Sequence, residues 1–348
     1  MTFYHHQPFL IDVFRHRLIA HRPRPMILLG RSGTSRTSAF KAYIAERNCI
    51  GMERYEPFRT GDDYVKWCGC LNCTKIRNHG QSVGGEADKR TLKVQDIHII
   101  GSDPSLGARE RLRDAVSGFS ETSPQELDKR YLIVRGVDGY PRGTLDTLLK
   151  LLEESPDYLE IFLTARIRED IPPAIVSRCE VVIGADMTSG FLSNLVQRIP
   201  TLAALKSKAS AYPFRSISEL RLYSKLDLEL QFKNLFVSAT SPFSLELAAG
   251  ELWDKMDVEG ESIPIDEVRS FVLRFFHDSL QEYIRINAST SRQVDQFRLF
   301  AEENISHIQD RLFEYAESRR GNQWLNLRRQ FELWLLCLYI IRKSLELI

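Results

Sequence analysis

The sequence has few of the features that mark secreted or membrane proteins. Six cysteines in 348 residues do not suggest a disulfide scaffold. The longest apolar run, Leu333 to Ile341, is far shorter than the ~18 residues that a membrane-spanning helix needs. Polar residues interrupt the segment from Tyr4 to Arg15, so it lacks the apolar region of a secretion signal. The expected location is therefore cytoplasmic, and no membrane partner is predicted.

The chain also lacks a strong charge of either sign. Its formal net charge is +1, which gives no overall attraction to nucleic acid, so any DNA contact must come from a local basic surface. An apolar content of 43% is enough for well-formed cores. At ~150 residues per domain, a chain of this length is expected to hold two or three domains.

The clearest fold signal lies between Tyr131 and Glu180. Leu132 to Val134 and Ile161 to Thr164 are short apolar runs with little alternation, which is typical of strands buried on both faces of a parallel sheet. Between them, leucines at helical spacing predict an amphipathic helix that ends near Glu154. These leucines are Leu145, Leu148, Leu149 and Leu152.

The same stretch resembles the replicative clamp-loader subunits, which are AAA+ proteins that open a ring-shaped sliding clamp on DNA. It reads LLKLLEESP, then a strand, then IPPAIVSRC, where bacterial members carry a close variant of LLKTLEEPP, FILTT and ILPTIRSRC. In that family the arginine of the SRC segment reaches the ATP held by the neighbouring subunit. The resemblance implies that Arg178 is a catalytic arginine finger supplied in trans, with Ser177 beside it in the same catalytic segment. Without the surrounding family pattern, the expected role of Arg178 would be to cap a loop or to pair with a carboxylate.

A second motif follows the predicted strand Met26 to Leu29, where a Gly-rich turn leads into a helix. That context is the one a phosphate-binding loop requires, and the loop resembles the family sequence GPRGTGKTS. Ser35 replaces the expected glycine, and its Cβ disfavours a positive φ. Arg36 replaces the lysine, and a large planar cation is not a neutral exchange for a compact one. The candidate loop residues are Gly30, Gly33, Thr34, Ser35, Arg36 and Thr37. A helix N-terminus still attracts anions, so weak phosphate binding stays open beside a vestigial loop kept for packing.

The residues after the strand Tyr131 to Val134 support the same interpretation. An active family member needs Asp-Glu there, the Asp to help hold magnesium and the Glu to polarise the attacking water. This chain has Arg135 and Gly136 instead. Asp138 resembles a structural acid of the family's delta-prime subunits and is badly placed to substitute. In a weaker alignment, Ser218 stands where the family's sensor-two segment has arginine. We therefore expect no productive binding of ATP or Mg²⁺ by this chain.

A cysteine cluster lies between the two motifs and comprises Cys49, Cys68, Cys70 and Cys73. Four thiolates that include a Cys-x-x-Cys pair are typical of a structural zinc site. Bacterial clamp-loader subunits carry a zinc module here, roughly Cys-x8-Cys-Gly-x-Cys-x-x-Cys. This chain has a longer first gap, and a single residue separates Cys68 from Cys70. Structural Zn²⁺ is the predicted cofactor, with His79 as a substitute ligand and free thiols in a satellite fold as the alternative.

A candidate DNA contact lies on the predicted helix from Leu106 to Phe119. Arg109 and Arg113 face outward on it, and family helices in this part of the module track template phosphates. The two arginines would make sequence-independent phosphate contacts. The alternative is a solvated face, because Glu110 and Asp114 offer local partners at helical spacing.

These features predict an α/β chain of three domains. Residues 1–184 would form an AAA+ RecA-like module with a parallel sheet, including a zinc insert at about 49–80. Residues 185–240 would form a small helical lid domain, and residues 241–348 an all-helical collar domain that mediates oligomerisation. The apolar C-terminal helices are equally compatible with a self-contained bundle.

The resemblance implies a non-hydrolysing, delta-prime-like subunit of a DNA sliding-clamp loader that acts in DNA replication. Expected partners are other clamp-loader ATPase subunits in a hetero-oligomer, the sliding clamp and primer-template DNA. Two alternatives remain. One is a weakly active AAA+ ATPase in which Arg36 replaces the lysine and Thr37 still meets magnesium; the other is a non-replicative scaffold with the same fold.

Overall fold

The chain divides into two units, Met1–Leu195 and Val196–Ile348. The computed structural model describes residues 8–20, 23–51, 69–80, 82–83, 90–91, 93–101, 112–114, 116, 118–119, 122–198, 204–239, 248, 250–252, 255–256 and 265–288.

Parallel strands form the central sheet of the first unit. In spatial order they are β4, β5, β6, β1 and β7. Their bounds are β1 Met26–Leu29, β4 Ile97–Ile100, β5 Arg130–Val134, β6 Leu159–Ala165 and β7 Glu180–Ile183. A separate antiparallel pair comprises β2 (Ser82–Val83) and β3 (Arg90–Thr91). The predicted α/β class with a parallel sheet is confirmed.

Helices cover both faces of this sheet. Met26 and Leu28 pack with α1 (Pro8–Ile19), α2 (Arg36–Arg47) and α3 (Leu71–Asn78). Ile27 and Leu29 belong to the opposite core, with α4 (Arg142–Glu153) and α5 (Pro173–Val176). Because successive side chains of a strand point to opposite faces, a strand covered on both sides needs an apolar residue at every position.

Helix α4 confirms the prediction from leucine spacing. Leu145, Leu148 and Leu152 are buried in the core, and Leu149 packs against it. The helix ends at Glu153 and is capped at Glu154, close to the predicted end. The SRC segment and Glu153 are therefore both attached to elements packed on the same face of the sheet.

The second unit is helical where it is described. Helix α6 (Ser189–Arg198) spans the boundary between the units, and α7 (Ile217–Leu226), α8 (Leu228–Ser238) and α9 (Ile265–Ala288) follow. Residues 289–348 and most of residues 240–264 lie outside the described residues, and so does most of the predicted collar.

The segment that aligns weakly with sensor two forms a helix cap. Ser216 caps α7 by accepting a hydrogen bond from the Glu219 amide at 3.2 Å. A Glu219 carboxylate oxygen accepts from the Arg215 amide at 2.7 Å and pairs with Arg274 of α9 at 2.8 Å. Ser218 lies within the first turn of α7. These contacts tie the start of α7 to α9.

Candidate functional site

The phosphate-loop motif connects β1 to α2, as its sequence predicts. Gly30 and Gly33 have positive φ angles of 151° and 77°. Ser35, in the place of the expected glycine, has φ 64° and ψ 28° and is the residue before α2. That left-handed conformation costs a residue with a Cβ about 1–2 kcal/mol. The loop therefore holds Ser35 in a backbone conformation that its Cβ disfavours.

Replacing Ser35 with glycine should therefore stabilise the chain. Relief of the left-handed strain outweighs the extra backbone entropy that glycine loses on folding, so we expect a gain of about 0.5–1 kcal/mol in the free energy of unfolding. Urea denaturation measures it. Ser32→Gly is the matched control from the same loop and should be neutral or destabilising, because Ser32 does not have a positive φ. If Ser35→Gly and Ser32→Gly lower the free energy of unfolding equally, the backbone at Ser35 is not strained.

Arg36 directs its side chain back into the protein. Its Nη1 donates to the backbone carbonyl of Ala165, at the end of β6. Its Cδ lies only 3.7 Å from where a Cβ on Gly30 would stand. Thr34 is buried, and its hydroxyl donates to the Arg31 carbonyl at 2.8 Å. The cation that replaces the lysine thus lies against the loop's own glycine and engages a backbone carbonyl.

The two residues that follow β5, Arg135 and Gly136, carry no carboxylate. Arg135 is exposed, and the amide of Gly136 donates to the Thr164 hydroxyl at 3.0 Å. Asp138 has a buried side chain and pairs with Arg166 Nε at 2.9 Å. A carboxylate already paired with a guanidinium is poorly suited to act as a metal ligand or a base.

The SRC segment follows α5, with Ser177 exposed, Arg178 partly exposed and Cys179 buried. The side chain of Arg178 is 34% exposed, and it forms an ion pair with Glu153, whose side chain is 47% exposed. Arg178 Nη1 also donates to the carbonyl of Ala174 at 2.7 Å. The Ser177 hydroxyl donates to the same carbonyl at 3.0 Å, and the Ser177 carbonyl accepts from Arg24 at 2.8 Å. Ser177 thus anchors the turn that presents Arg178.

Three of the four predicted metal ligands come together. The Sγ atoms of Cys49, Cys70 and Cys73 lie within 4.8 Å of one another, and Cys49 and Cys70 are 4.0 Å apart. Two sulfurs on a tetrahedral zinc are about 3.8 Å apart, given a Zn–S bond of about 2.3 Å. The cluster therefore has a size and donor set that can hold a metal ion.

The cluster joins two helices at their ends. Cys49 follows α2, Cys70 precedes α3, and Cys73 lies in the first turn of α3. Burial raises the pKa of the Cys73 thiol, and the neighbouring cysteines raise it further. A bound cation would offset that effect, because metal binding requires thiolates.

The other two candidate metal ligands are Cys68 and His79. Cys68 lies outside the described residues. His79 is buried, and its Nδ1 accepts a hydrogen bond from the Val94 amide at 2.9 Å. Burial lowers the pKa of His79 to about 4. Among the described residues, the group of potential ligands comprises the three cysteines and does not include His79.

The predicted DNA contacts are described only in part. Arg109 lies outside the described residues. Arg113 is 67% exposed, and its Nε lies 3.8 Å from a carboxylate oxygen of Asp114, which is 74% exposed. An exposed pair at this separation contributes little to stability.

Two contacts of the candidate site were not predicted from the sequence. Glu153 stands 25 residues before Arg178, and Ala165 stands 129 residues after Arg36. Neither spacing carries a local signal. The apolar run of β6 and the LLKLLEESP motif place both contacts at element ends, but only the fold shows which ends meet.

None of the described helices is long and apolar enough to cross a membrane.

Comparison with known proteins gives one family match. Residues 58–185 match the family model for DNA polymerase III, delta subunit. The matched range includes β5, Arg135 and the SRC segment, whereas the phosphate loop and Cys49 precede it. No curated protein matches.

Among solved structures, the chain is similar to a DNA polymerase III gamma subunit-related protein from Thermotoga maritima. The similarity covers 96% of this chain and 98% of that one, at 16% identity and a TM-score of 0.36. At these values it carries no argument about the chemistry of the site.

Proposed function

We propose that this chain is a non-hydrolysing, delta-prime-like subunit of a DNA sliding-clamp loader. The match of residues 58–185 to the family model for DNA polymerase III, delta subunit, supports this proposal. The chain lends Arg178 to the ATP site of a neighbouring subunit during DNA replication. Its partners are other clamp-loader ATPase subunits in a hetero-oligomer, the sliding clamp and primer-template DNA.

One asymmetry supports this proposal. In the chain's own loop, Arg36 bonds to the Ala165 carbonyl, and Arg135 and Gly136 occupy the positions of the metal-binding and water-polarising acids. Arg178, by contrast, lies at the surface on a turn held by Ser177. The chain lacks the acidic residues that would support ATP hydrolysis at its own site. It has the arginine that would assist hydrolysis at a neighbour's site.

Arg178 would act by electrostatic stabilisation. Charge spreads over the oxygens of the γ-phosphoryl group during transfer, and a guanidinium placed against them lowers the barrier. A neighbour with an intact phosphate loop and Asp-Glu pair would supply the magnesium and position the water. Arg178 would add the missing positive charge when the subunits pack side by side.

Structural zinc is the metal proposed for the cysteine cluster. Cys49, Cys70 and Cys73 would hold the ion, and Cys68 would complete a tetrahedral set. When bound, Zn²⁺ supplies no reaction chemistry here. It would fasten the end of α2 to the start of α3.

Contact with primer-template DNA is assigned to Arg109 and Arg113. Such contacts would neutralise backbone phosphates without reading sequence, so DNA binding would weaken as salt rises.

ATP turnover by the isolated chain tests whether this chain hydrolyses ATP by itself. We expect no ATP turnover above background, and no change in Arg36→Ala, because the loop lacks the groups that hydrolysis needs. A phosphate-release assay measures turnover, and a fluorescent ATP analogue reports binding. An active-switch function would instead give magnesium-dependent turnover that Arg36→Ala abolishes, and that result would contradict the proposal.

A further inference from the structure

Arg178 is held by contacts within its own chain. Its Nε donates to Glu153 Oε1 at 2.7 Å, and Nη2 bonds to the same oxygen. Its Nη1 donates to the Ala174 carbonyl, with the Ser177 hydroxyl 3.4 Å away. Arginine has five N–H donors, so these contacts engage four of them. The edge of the guanidinium formed by Nε and Nη2 faces Glu153.

Glu153 is itself poorly placed without a nearby cation. It is the last residue of α4, where the C-terminal end of the helix carries partial negative charge. Glu154 follows it and adds a second carboxylate. Arg178 supplies the positive charge that offsets this position. Both partners are partly exposed, so another anion can compete for the guanidinium.

The Nε–Nη2 edge that Glu153 occupies is one through which a guanidinium can bond to two phosphate oxygens. The same edge of the guanidinium cannot bond to a carboxylate and to phosphate oxygens at once. If Glu153 stayed bound, its negative charge would stand beside the phosphoryl oxygens and oppose their stabilisation. In both cases the Glu153 carboxylate works against engagement of Arg178 in trans.

We propose that Glu153 parks Arg178 against its own helix until a nucleotide-loaded neighbour displaces the carboxylate. This regulation rests on the proposed role of Arg178 in trans. Exposed ion pairs are weak, so the parking is readily reversed, and its effect on engagement is about two- to fivefold. Glu153 thus tunes when the arginine is delivered and does not touch the reacting atoms.

The test is Glu153→Gln in the complex formed with the ATPase subunits that copurify with this chain. Glutamine keeps the length and an acceptor oxygen but removes the charge. The concentration of this chain that gives half-maximal stimulation of ATP turnover should fall about two- to fivefold, without loss of the maximal rate. Glu154→Gln is the matched control, because it removes the same charge one residue further on, from an exposed side chain. It should behave as the wild type.

A double-mutant comparison separates this inference from the proposed function. In an Arg178→Ala background, Glu153→Gln should have no effect, because the parked group is gone. If Arg178→Ala alone leaves turnover unchanged, the trans role itself fails. If Arg178→Ala lowers turnover while Glu153→Gln also lowers it, or changes nothing, the parking is wrong and the trans role stands.

Discussion

Replacing Arg178 with alanine is expected to lower the DNA-stimulated ATP turnover of the assembled complex by about 10³-fold or more. An arginine finger supplied in trans contributes a loss of this order in other phosphoryl-transfer systems. The effect should fall on the maximal rate more than on the KM for ATP, because the guanidinium acts on charge that develops in the transition state. Steady-state phosphate release from the purified complex measures both parameters.

The same change should leave the chain folded and assembled. Arg178 and Glu153 are both partly exposed, and such a pair contributes about 1 kcal/mol or less to stability. Copurification and circular dichroism check assembly and folding. Arg168→Ala is a suitable control, because Arg168 is an exposed arginine in the connection between β6 and the SRC segment. Turnover equal to the wild type in Arg178→Ala would contradict the trans role.

Replacing Cys73 with serine should have the second large effect, on stability and metal content. We expect about one zinc ion per wild-type chain and a loss of stoichiometric zinc in the variant. The free energy of unfolding should fall by about 4 kcal/mol or more, a size typical of losing a structural metal. Cys73 is the buried member of the cluster, so a hydroxyl there removes a ligand from its least exposed side.

Elemental analysis of the purified protein, together with urea denaturation, measures both effects. Cys179→Ser is the matched control, since Cys179 is a buried thiol outside the cluster. That variant should keep its zinc, although it too loses some packing. A wild-type chain without zinc, or a Cys73→Ser variant that keeps it, would contradict the metal assignment. Cys68→Ser then tests whether Cys68 is the fourth ligand.

Much of the first unit follows from short sequence patterns. Continuous apolar runs predicted β1, β5 and β6, because each strand is covered by helices on both faces. Leucine spacing predicted α4, and the Gly-rich turn predicted the connection from β1 to α2. These patterns are local, so a single sequence carries them. The sequence also showed that Ser35 and Arg36 differ from the residues of the family's phosphate loop. The structure has a left-handed backbone at Ser35.

Long-range charge pairing could not be predicted in the same way. Glu160, within β6, is buried beside Arg17, Arg47 and Lys129, at 3.6, 3.3 and 3.6 Å. These cations come from three separate parts of the chain, and no spacing links them. Glu153 and Arg178 are a second case. Such pairs depend on which element ends meet in space, which only the folded chain specifies.

The most direct test compares two variants of this chain in one assembled complex, by DNA-stimulated ATP turnover. Arg36→Ala alters the chain's own phosphate loop, and Arg178→Ala alters the residue that it lends to a neighbour. The account predicts turnover close to the wild type for Arg36→Ala and a severe loss for Arg178→Ala. The reverse pattern, with turnover lost in Arg36→Ala and kept in Arg178→Ala, would show that the chain hydrolyses ATP at its own phosphate loop. That result would contradict the account.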